Sequence, residues 1–564
     1  MIPTLAQPAP RGALAPPPRY LSFDFCPLRK PQTMPFSALN TLLAVLAVAL
    51  PFLFAVTAPP SPNFWPLVFS WACGLALAAW GLVQGAAVVT RAQCVRLGNR
   101  AAGTLAWGLL LAAVLGGVVG LLQYLGAEPW GLPWIHPSTP GEAVGNLRQR
   151  NQQASLMALG VWSLLWLWVR AERVQRPQWG MGMVLGGALA VLAVAAAATN
   201  SRTGALQWLL MLGLLCLWRR TDARKAIALV LVGMALYVLA AWALPQVLLQ
   251  VSGIRIDGLF DRFSNTSGAC GARRVLWSNM LHLISLKPWT GWGWGELSYA
   301  HYITLFPEER FCVLLDNAHN LPLHLAVELG LPAALLLCGG VLAWLVWSRP
   351  WRETDPVRQL AWGVVAVVGL HSLLEYPLWY GPFQVTTLFA LVLLCWRRAP
   401  GRGVPEAWRW LGSKLGDVNV GWGLGAAVCL IGAAVLGMAA YQYRVVSQLY
   451  KPVAQRPPAL RDVRAVPQPK GVLFSDQVRF AWLTTQDLTP ANAAQMHAVA
   501  LDLLHFSPEP RVIEKVVDGA LALGRADEAA LHQQRYRIAY PNDFARWQAR
   551  RANAASAASA PGVQ

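Results

Sequence analysis

Arginine, histidine, carboxylate and amide side chains gather at a few points of a chain that is otherwise strongly apolar. Four clusters stand out: Gly145-Asn-Leu-Arg-Gln-Arg-Asn151; Thr199-Asn-Ser-Arg-Thr-Gly204; Arg273-Arg274-Val-Leu-Trp277 with the later Lys287-Pro-Trp-Thr-Gly-Trp-Gly-Trp-Gly295; and Asp316-Asn-Ala-His-Asn320. A further stretch, His371-Ser-Leu-Leu-Glu-Tyr-Pro-Leu378, adds Glu375 and Tyr376. Arg202 is the one charge in a tight turn between two apolar runs, and a guanidinium there can fork onto phosphate oxygens. Asn320 reads as a helix N-cap with Pro322 in the first turn, so a positive helix end just after His319 is open to an anion. Gln149 and Asn151 offer amides beside two further guanidiniums. The tryptophans and glycines around Trp277 and along 287–295 suit stacking on sugar rings. His324 and Glu328, four residues apart, share one helix face. Each cluster also has a plainer use, as a helix cap with snorkelling arginines or as part of an interfacial aromatic belt.

These residues must be positioned by helices in a membrane. Hydrophobic residues make up 55% of the 564 and charged ones 13%, a composition that excludes an ordinary soluble enzyme. A spanning helix needs about 20 apolar residues. Apolar runs fall at about 36–58, 64–90, 103–126, 152–169, 180–198, 204–218, 226–250, 321–347, 359–374, 383–396 and 421–441. The fold expected is an all-α polytopic membrane protein with about 11 (10–12) transmembrane helices, a large periplasmic loop over 251–318 and a C-terminal helical domain. Ionisable groups at membrane depth are costly and mark function by default, which returns weight to the clusters.

The loops set the orientation. One alternating set (1–35, 91–102, 170–179, 219–225, 349–358, 397–414) holds 22 Lys and Arg, and the opposite short loops hold three, Arg148, Arg150 and Arg202. Lys/Arg-rich short loops stay cytoplasmic, so the N-terminus is expected inside, with all the clusters, the loop 251–318 and the tail after 441 outside. The net charge of +19 has the same origin and does not imply nucleic acid. Residues 1–35 are Pro-rich and read as a disordered cytoplasmic lead without a cleavable signal peptide, and Met34 would serve as a start just ahead of the first apolar run. Most of the nine cysteines fall in helices or cytoplasmic loops and read as small apolar residues. Cys270 and Cys312 share the outer loop, where oxidising conditions favour a disulfide, the alternative being two free thiols. No D-x-D or carboxylate cluster suits a divalent cation, so metal-independent chemistry without a cofactor is expected.

The tail, 442–564, reads as a separate soluble unit with amphipathic helices at 493–504, 511–523 and 527–539, the last ended by Pro541. The paired pattern faintly resembles tetratricopeptide repeats, and the final dozen residues read as a frayed end.

The ordered clusters resemble the O-antigen ligase/polymerase superfamily, most closely its pilin-type protein O-oligosaccharyltransferases. The resemblance rests on G-N-x-x-Q-x-N at 145–151, S-R-x-G at 201–204, R-x-x-x-W at 273–277, G-W-G-W-G, H-N-x-x-L at 319–323 with E-x-G at 328–330, and H-S-L-L-E-Y-P-L at 371–378. One departure is that the family's Q-P-N-H reads Gln149-Arg150-Asn151-Gln152, which removes histidine from that position. The resemblance implies transfer of a glycan from an undecaprenyl-diphosphate carrier to a hydroxyl, on the periplasmic side of the bacterial inner membrane. It assigns Arg202 and Arg273, with Arg274 beside them, to the diphosphate, and His319 to the incoming hydroxyl, with Asp316 as a spacing-based orienter. Gln149, Asn151, Asn320, Glu328, Glu375, Tyr376 and Trp277 are then expected to contact donor or acceptor. The acceptor is a pilin-like protein, with lipid A-core (a ligase) or a growing glycan (a polymerase) as alternatives that fold alone does not separate. A lipid-linked sugar transporter is disfavoured because no internal repeat is evident and the polar groups sit at one edge, not at the midplane.

Overall fold

The computed structural model describes residues 38–86, 91–172, 179–218, 223–259, 273–396, 418–462 and 473–559. The lead segment 1–35 and Cys270 lie outside the described residues. Regular structure among the described residues is helical throughout, with no strand. The helices are α1 Ala38–Leu53, α2 Phe64–Ala86, α3 Arg91–Tyr124, α4 Arg150–Glu172, α5 Trp179–Ala198, α6 Arg202–Leu217 and α7 Ala223–Ser252. They continue with α8 Arg273–Leu286, α9 Leu297–Ile303, α10 Leu321–Ser348, α11 Pro356–Ser372, α12 Gly381–Trp396 and α13 Val418–Val446. The tail holds α14 Ser475–Thr485, α15 Ala493–Phe506, α16 Pro510–Ala522, α17 Ala526–Ala539 and α18 Pro541–Ser559.

A helix stands at each of the apolar runs. Six of them (α2, α3, α4, α7, α10 and α13) are long and apolar enough to cross a membrane by length and composition. Helices α1, α5, α6 and α12 are apolar but shorter. The main core joins Leu and Ala side chains of α3, α4, α5, α11 and α12, and α4 lies at its centre. Exposed leucines, valines and isoleucines on α10 and α13 face outward, the pattern of helix surfaces that meet lipid rather than water.

Helix α10 is broken at Gly330, whose φ of 82° interrupts the helical run. The break frees carbonyls that the 288–295 loop then uses: Trp292 N–H donates to Val327 O at 2.8 Å and Gly293 N–H to Glu328 O at 3.0 Å, while Leu331 N–H reaches Pro288 O at 2.8 Å. This docking explains the glycines. A Cβ on Gly291 (φ 66°) would lie 2.4 Å from the Glu328 backbone, and one on Gly330 would lie 2.4 Å from Trp289 O. Gly330→Ala and Gly291→Ala are each expected to cost about 1–3 kcal/mol or more of stability, seen as a lower melting temperature of the detergent-solubilised protein. An unchanged melting temperature would show that the loop does not depend on this approach.

The tail packs against the segment around α9. Its apolar core, built on α14 to α18, takes in Tyr302 of α9. Tyr302 Oη lies 3.1 Å from His532 Nδ1, His505 Nδ1 lies 2.7 Å from Glu296 Oε2, and Arg535 Nε donates to Ile303 O at 3.2 Å. Helix α17 ends at Ala539, just ahead of Pro541, and Pro541 opens α18, because its fixed φ and missing N–H suit a first turn. The helix runs on to Ser559, into the segment read as a frayed end.

Cys312 is disulfide-bonded. Cys94, on the side read as cytoplasmic, is disulfide-bonded as well, which its position in the sequence gave no reason to expect.

Candidate functional site

Four of the sequence clusters sit in or just ahead of the first turn of a helix: Arg150 and Asn151 on α4, Arg202 on α6, Arg273 on α8, and His319 and Asn320 at α10. Each N-terminus carries unpaired N–H groups and roughly half a positive charge. Side-chain caps fix three of these ends, Gln149 at α4 being one. Ser201 Oγ accepts from Gly204 N–H at 3.1 Å, and Asn320 Oδ1 accepts from Leu323 N–H at 3.0 Å. Asn320 also donates to Leu373 O at 2.9 Å, which ties the start of α10 to the end of α11.

Glu375, just beyond α11, joins these ends. The residue is only 4% exposed. Oε1 accepts from Arg273 Nη2 at 2.5 Å and from Asn151 Nδ2 at 2.9 Å, while Oε2 lies 2.6 Å from His319 Nδ1. Asn151 Oδ1 in turn accepts from Ser201 Oγ at 2.6 Å, the residue just before Arg202. One buried carboxylate therefore gathers segments 56, 102 and 224 residues away in sequence.

Burial pushes the Glu375 carboxyl up, but the hydrogen bonds and charges of His319 and Arg273 outweigh it, and the group lies below the ordinary carboxylate range. An ionised carboxylate can only accept, so His319 Nδ1 carries the proton and Nε2 is left free to take another. Because the folded-state value is depressed, the stabilisation is complete above the usual pKa of about 4.3 and is lost as pH falls through the lower folded value. Melting temperature should therefore drop more steeply below about pH 4 in the wild type than in Glu375→Gln, so that the gap between them closes in acid. Parallel curves would show that Glu375 is not ionised in the pair.

His319 has a positive φ of 49°, its N–H donates to Asn317 Oδ1 at 2.8 Å, and its ring meets Tyr376 edge-on at 5.0 Å. Asp316, suggested by spacing as its orienter, is exposed and makes no bond to it among the described residues. Burial pushes the Tyr376 phenol up, so it stays protonated. Arg202 and Arg274 are exposed, and neither has a hydrogen bond or ion pair among the described residues. Their donors are available to a ligand.

Other expected site residues lie elsewhere or carry structural bonds. Gln149 Oε1 accepts from Gln152 N–H at 2.7 Å, in the first turn of α4. Glu328 is buried and paired with His324 at 3.5 Å on the broken α10, apart from the Glu375 network. Trp277 packs in the small core between α8, α9 and α10. Of the tryptophans at 289, 292 and 294, Trp292 lies under Lys287, whose Nζ is 4.2 Å from its ring, and Trp289 and Trp294 are exposed. Sequence reasoning did not single out Ser201, the serine of S-R-x-G, as the cap of α6, although a serine just ahead of an apolar run is a strong N-cap signal.

Two buried layers of the loop before α4 support the site from below. Gln123 holds the backbone of Gly145 and Val144, and Asn146 donates to Leu53 O and Trp134 O. The Gly145-Asn146 pair thus anchors the segment that delivers Asn151.

Comparison with known families matches the chain in three places, in sequence order. Residues 143–168 match "Protein glycosylation ligase", 187–338 match "O-Antigen ligase", and 359–555 match "Virulence factor membrane-bound polymerase, C-terminal". These matches bear out the resemblance drawn from the ordered motifs. A "General O-oligosaccharyltransferase" of Acinetobacter baylyi is 27% identical over 296 residues, covering 51% of this chain and 49% of that protein. An "O-antigen ligase" of Pseudomonas aeruginosa is 26% identical over 247 residues, covering 43% of this chain and 48% of that protein. The chain thus spans about half the length of the curated relatives it matches. No solved structure matches it.

Proposed function

We propose that the chain is an O-linked oligosaccharyltransferase that moves a glycan from an undecaprenyl-diphosphate carrier to a Ser or Thr hydroxyl of a periplasmic protein such as a pilin. The observation that carries this reading is the Glu375–His319–Arg273 constellation, tied through Asn151 to Ser201 just before the exposed Arg202 and set among helix N-termini. In the reaction, the acceptor oxygen attacks the anomeric carbon as the bond from that carbon to the diphosphate oxygen breaks. The electron pair leaves with the diphosphate, where Arg202, Arg273 and the helix ends stabilise the growing charge. The hydroxyl proton passes to His319 Nε2, and Glu375 stabilises the imidazolium that results. Arg274, Asn151, Asn320 and Tyr376 line the same end of the bundle, and no metal is needed for these steps.

In this reading the chain crosses the inner membrane about eleven times, with the N-terminus in the cytoplasm. Residues 36–441 form the membrane domain, and the site and the helical domain 442–564 lie in the periplasm. Reporter fusions after residue 222 should read as cytoplasmic and fusions after 300 as periplasmic; the reverse would overturn the orientation.

A protein acceptor is favoured by the match at 143–168 and by the Acinetobacter relative. Lipid A-core is the second reading, favoured by the match at 187–338 and by the Pseudomonas relative. Deleting the gene should remove glycan mass from periplasmic proteins and leave the polysaccharide ladder on lipid A-core. Loss of the ladder with unchanged protein masses would select the ligase.

A further inference from the structure

Two layers of hydrogen bonds join the same three helices. The upper layer runs from Ser201 at the start of α6 to Asn151 of α4 and on to Glu375 beyond α11. The lower layer runs from Gln207 of α6, whose Nε2 donates to Ser155 Oγ of α4 at 2.6 Å, to His371 of α11, whose Nδ1 lies 2.7 Å from the same oxygen. Asn151 and Ser155 are four residues apart on α4, and His371 and Glu375 are linked by Glu375 N–H donating to His371 O at 2.8 Å. The layers are therefore one helical turn apart.

Gln207, Ser155 and His371 are all completely buried. Ser155 Oγ accepts the Gln207 amide, so its own proton has only His371 Nδ1 to go to among the described residues. Nδ1 is then the acceptor and Nε2 bears the ring proton. That Nε2 is buried without a partner among the described residues, as are Gln207 Oε1 and both amide atoms of Gln152. Buried polar groups left unpaired are costly, and such groups in native proteins are commonly completed by internal water. An apolar layer would pack here at lower cost, so the polarity calls for a role.

We propose that His371 is a positioning residue. The Gln207–Ser155–His371 layer, with water on its open donors and acceptors, fixes how α11 is rotated against α4. It thereby sets where Glu375 meets His319 and Arg273. The inference rests on the glycan-transfer reading of the site.

The test compares His371→Leu, His371→Gln and Ser155→Ala, each alone and combined with Glu375→Gln, in the full chain reconstituted with lipid-linked oligosaccharide and acceptor. His371→Leu should lower kcat roughly 100-fold, the scale of a small misplacement at a reacting centre, with KM for the donor little changed. His371→Gln, which can still accept from Ser155 and donate onward, should restore most of the rate. Added to Glu375→Gln, neither change should cost more, because the residue acts through that carboxylate. Equal losses in His371→Leu and His371→Gln that track a falling melting temperature would overturn the proposal, as would losses that multiply with Glu375→Gln. If His371→Leu does not insert, Ser155→Ala carries the same comparison. A wild type that transfers no glycan would overturn the functional reading, whereas an active wild type with unaffected variants overturns this inference alone.

Discussion

Glu375→Gln should lower glycan transfer by about 100- to 10,000-fold, the range that a positioned general base contributes, with the protein still inserted. The amide that replaces the carboxylate puts a donor where three donors already point, Arg273 Nη2, Asn151 Nδ2 and His319 Nδ1–H. One of the contacts must break, or His319 must change tautomer and surrender the free Nε2. Either result removes the base or its orientation. Glu375→Asp keeps the charge but shortens the arm, and it cannot hold both Arg273 and His319 at their present distances. It should fall between wild type and Glu375→Gln. Since the carboxylate does not itself meet the donor in this account, the loss should appear in kcat more than in KM. Wild-type turnover in Glu375→Gln would mean that His319 works without its partner.

Arg202→Ala should cost roughly 100- to 1,000-fold in kcat, as removal of a single group stabilising developing negative charge usually does. Arg202 has no hydrogen bond or ion pair among the described residues and lies on the surface, so its loss disturbs no packing and the melting temperature should hold. Arg202→Lys returns the charge but not the two-pronged geometry, and partial recovery is expected. Arg273→Ala is a different experiment. It also strips Glu375 of its guanidinium partner and leaves a buried carboxylate underpaired, so both rate and stability should fall. An Arg202→Ala variant with full activity would remove it from the diphosphate.

The helices were legible because burial in lipid requires long apolar runs, and a run such as 103–126 leaves no other option. The clusters were legible because polar residues are conspicuous in that setting. Their assembly was not. Glu375 reads in sequence as one carboxylate in an interfacial stretch, yet it is the junction of the site, because its partners come from residues 151, 273 and 319. Local spacing pointed instead to Asp316, three residues from His319, but that side chain is exposed and makes no bond to His319 among the described residues. Glu328 matched a motif whose glycine, Gly330, marks a break in α10 that no local pattern announced. His371 was visible as part of a motif, but its bond to Ser155 spans 216 residues and no periodicity predicts it.

The account stands most directly on a reconstitution. Purified protein, an undecaprenyl-diphosphate-linked oligosaccharide and a pilin-like acceptor are mixed, and the intact acceptor mass is read for wild type and His319→Ala. The account predicts a mass increase of one glycan with the wild type and none with His319→Ala at equal folded protein. Glycan transfer undiminished in His319→Ala, or none by the wild type to any hydroxyl acceptor offered, would contradict it.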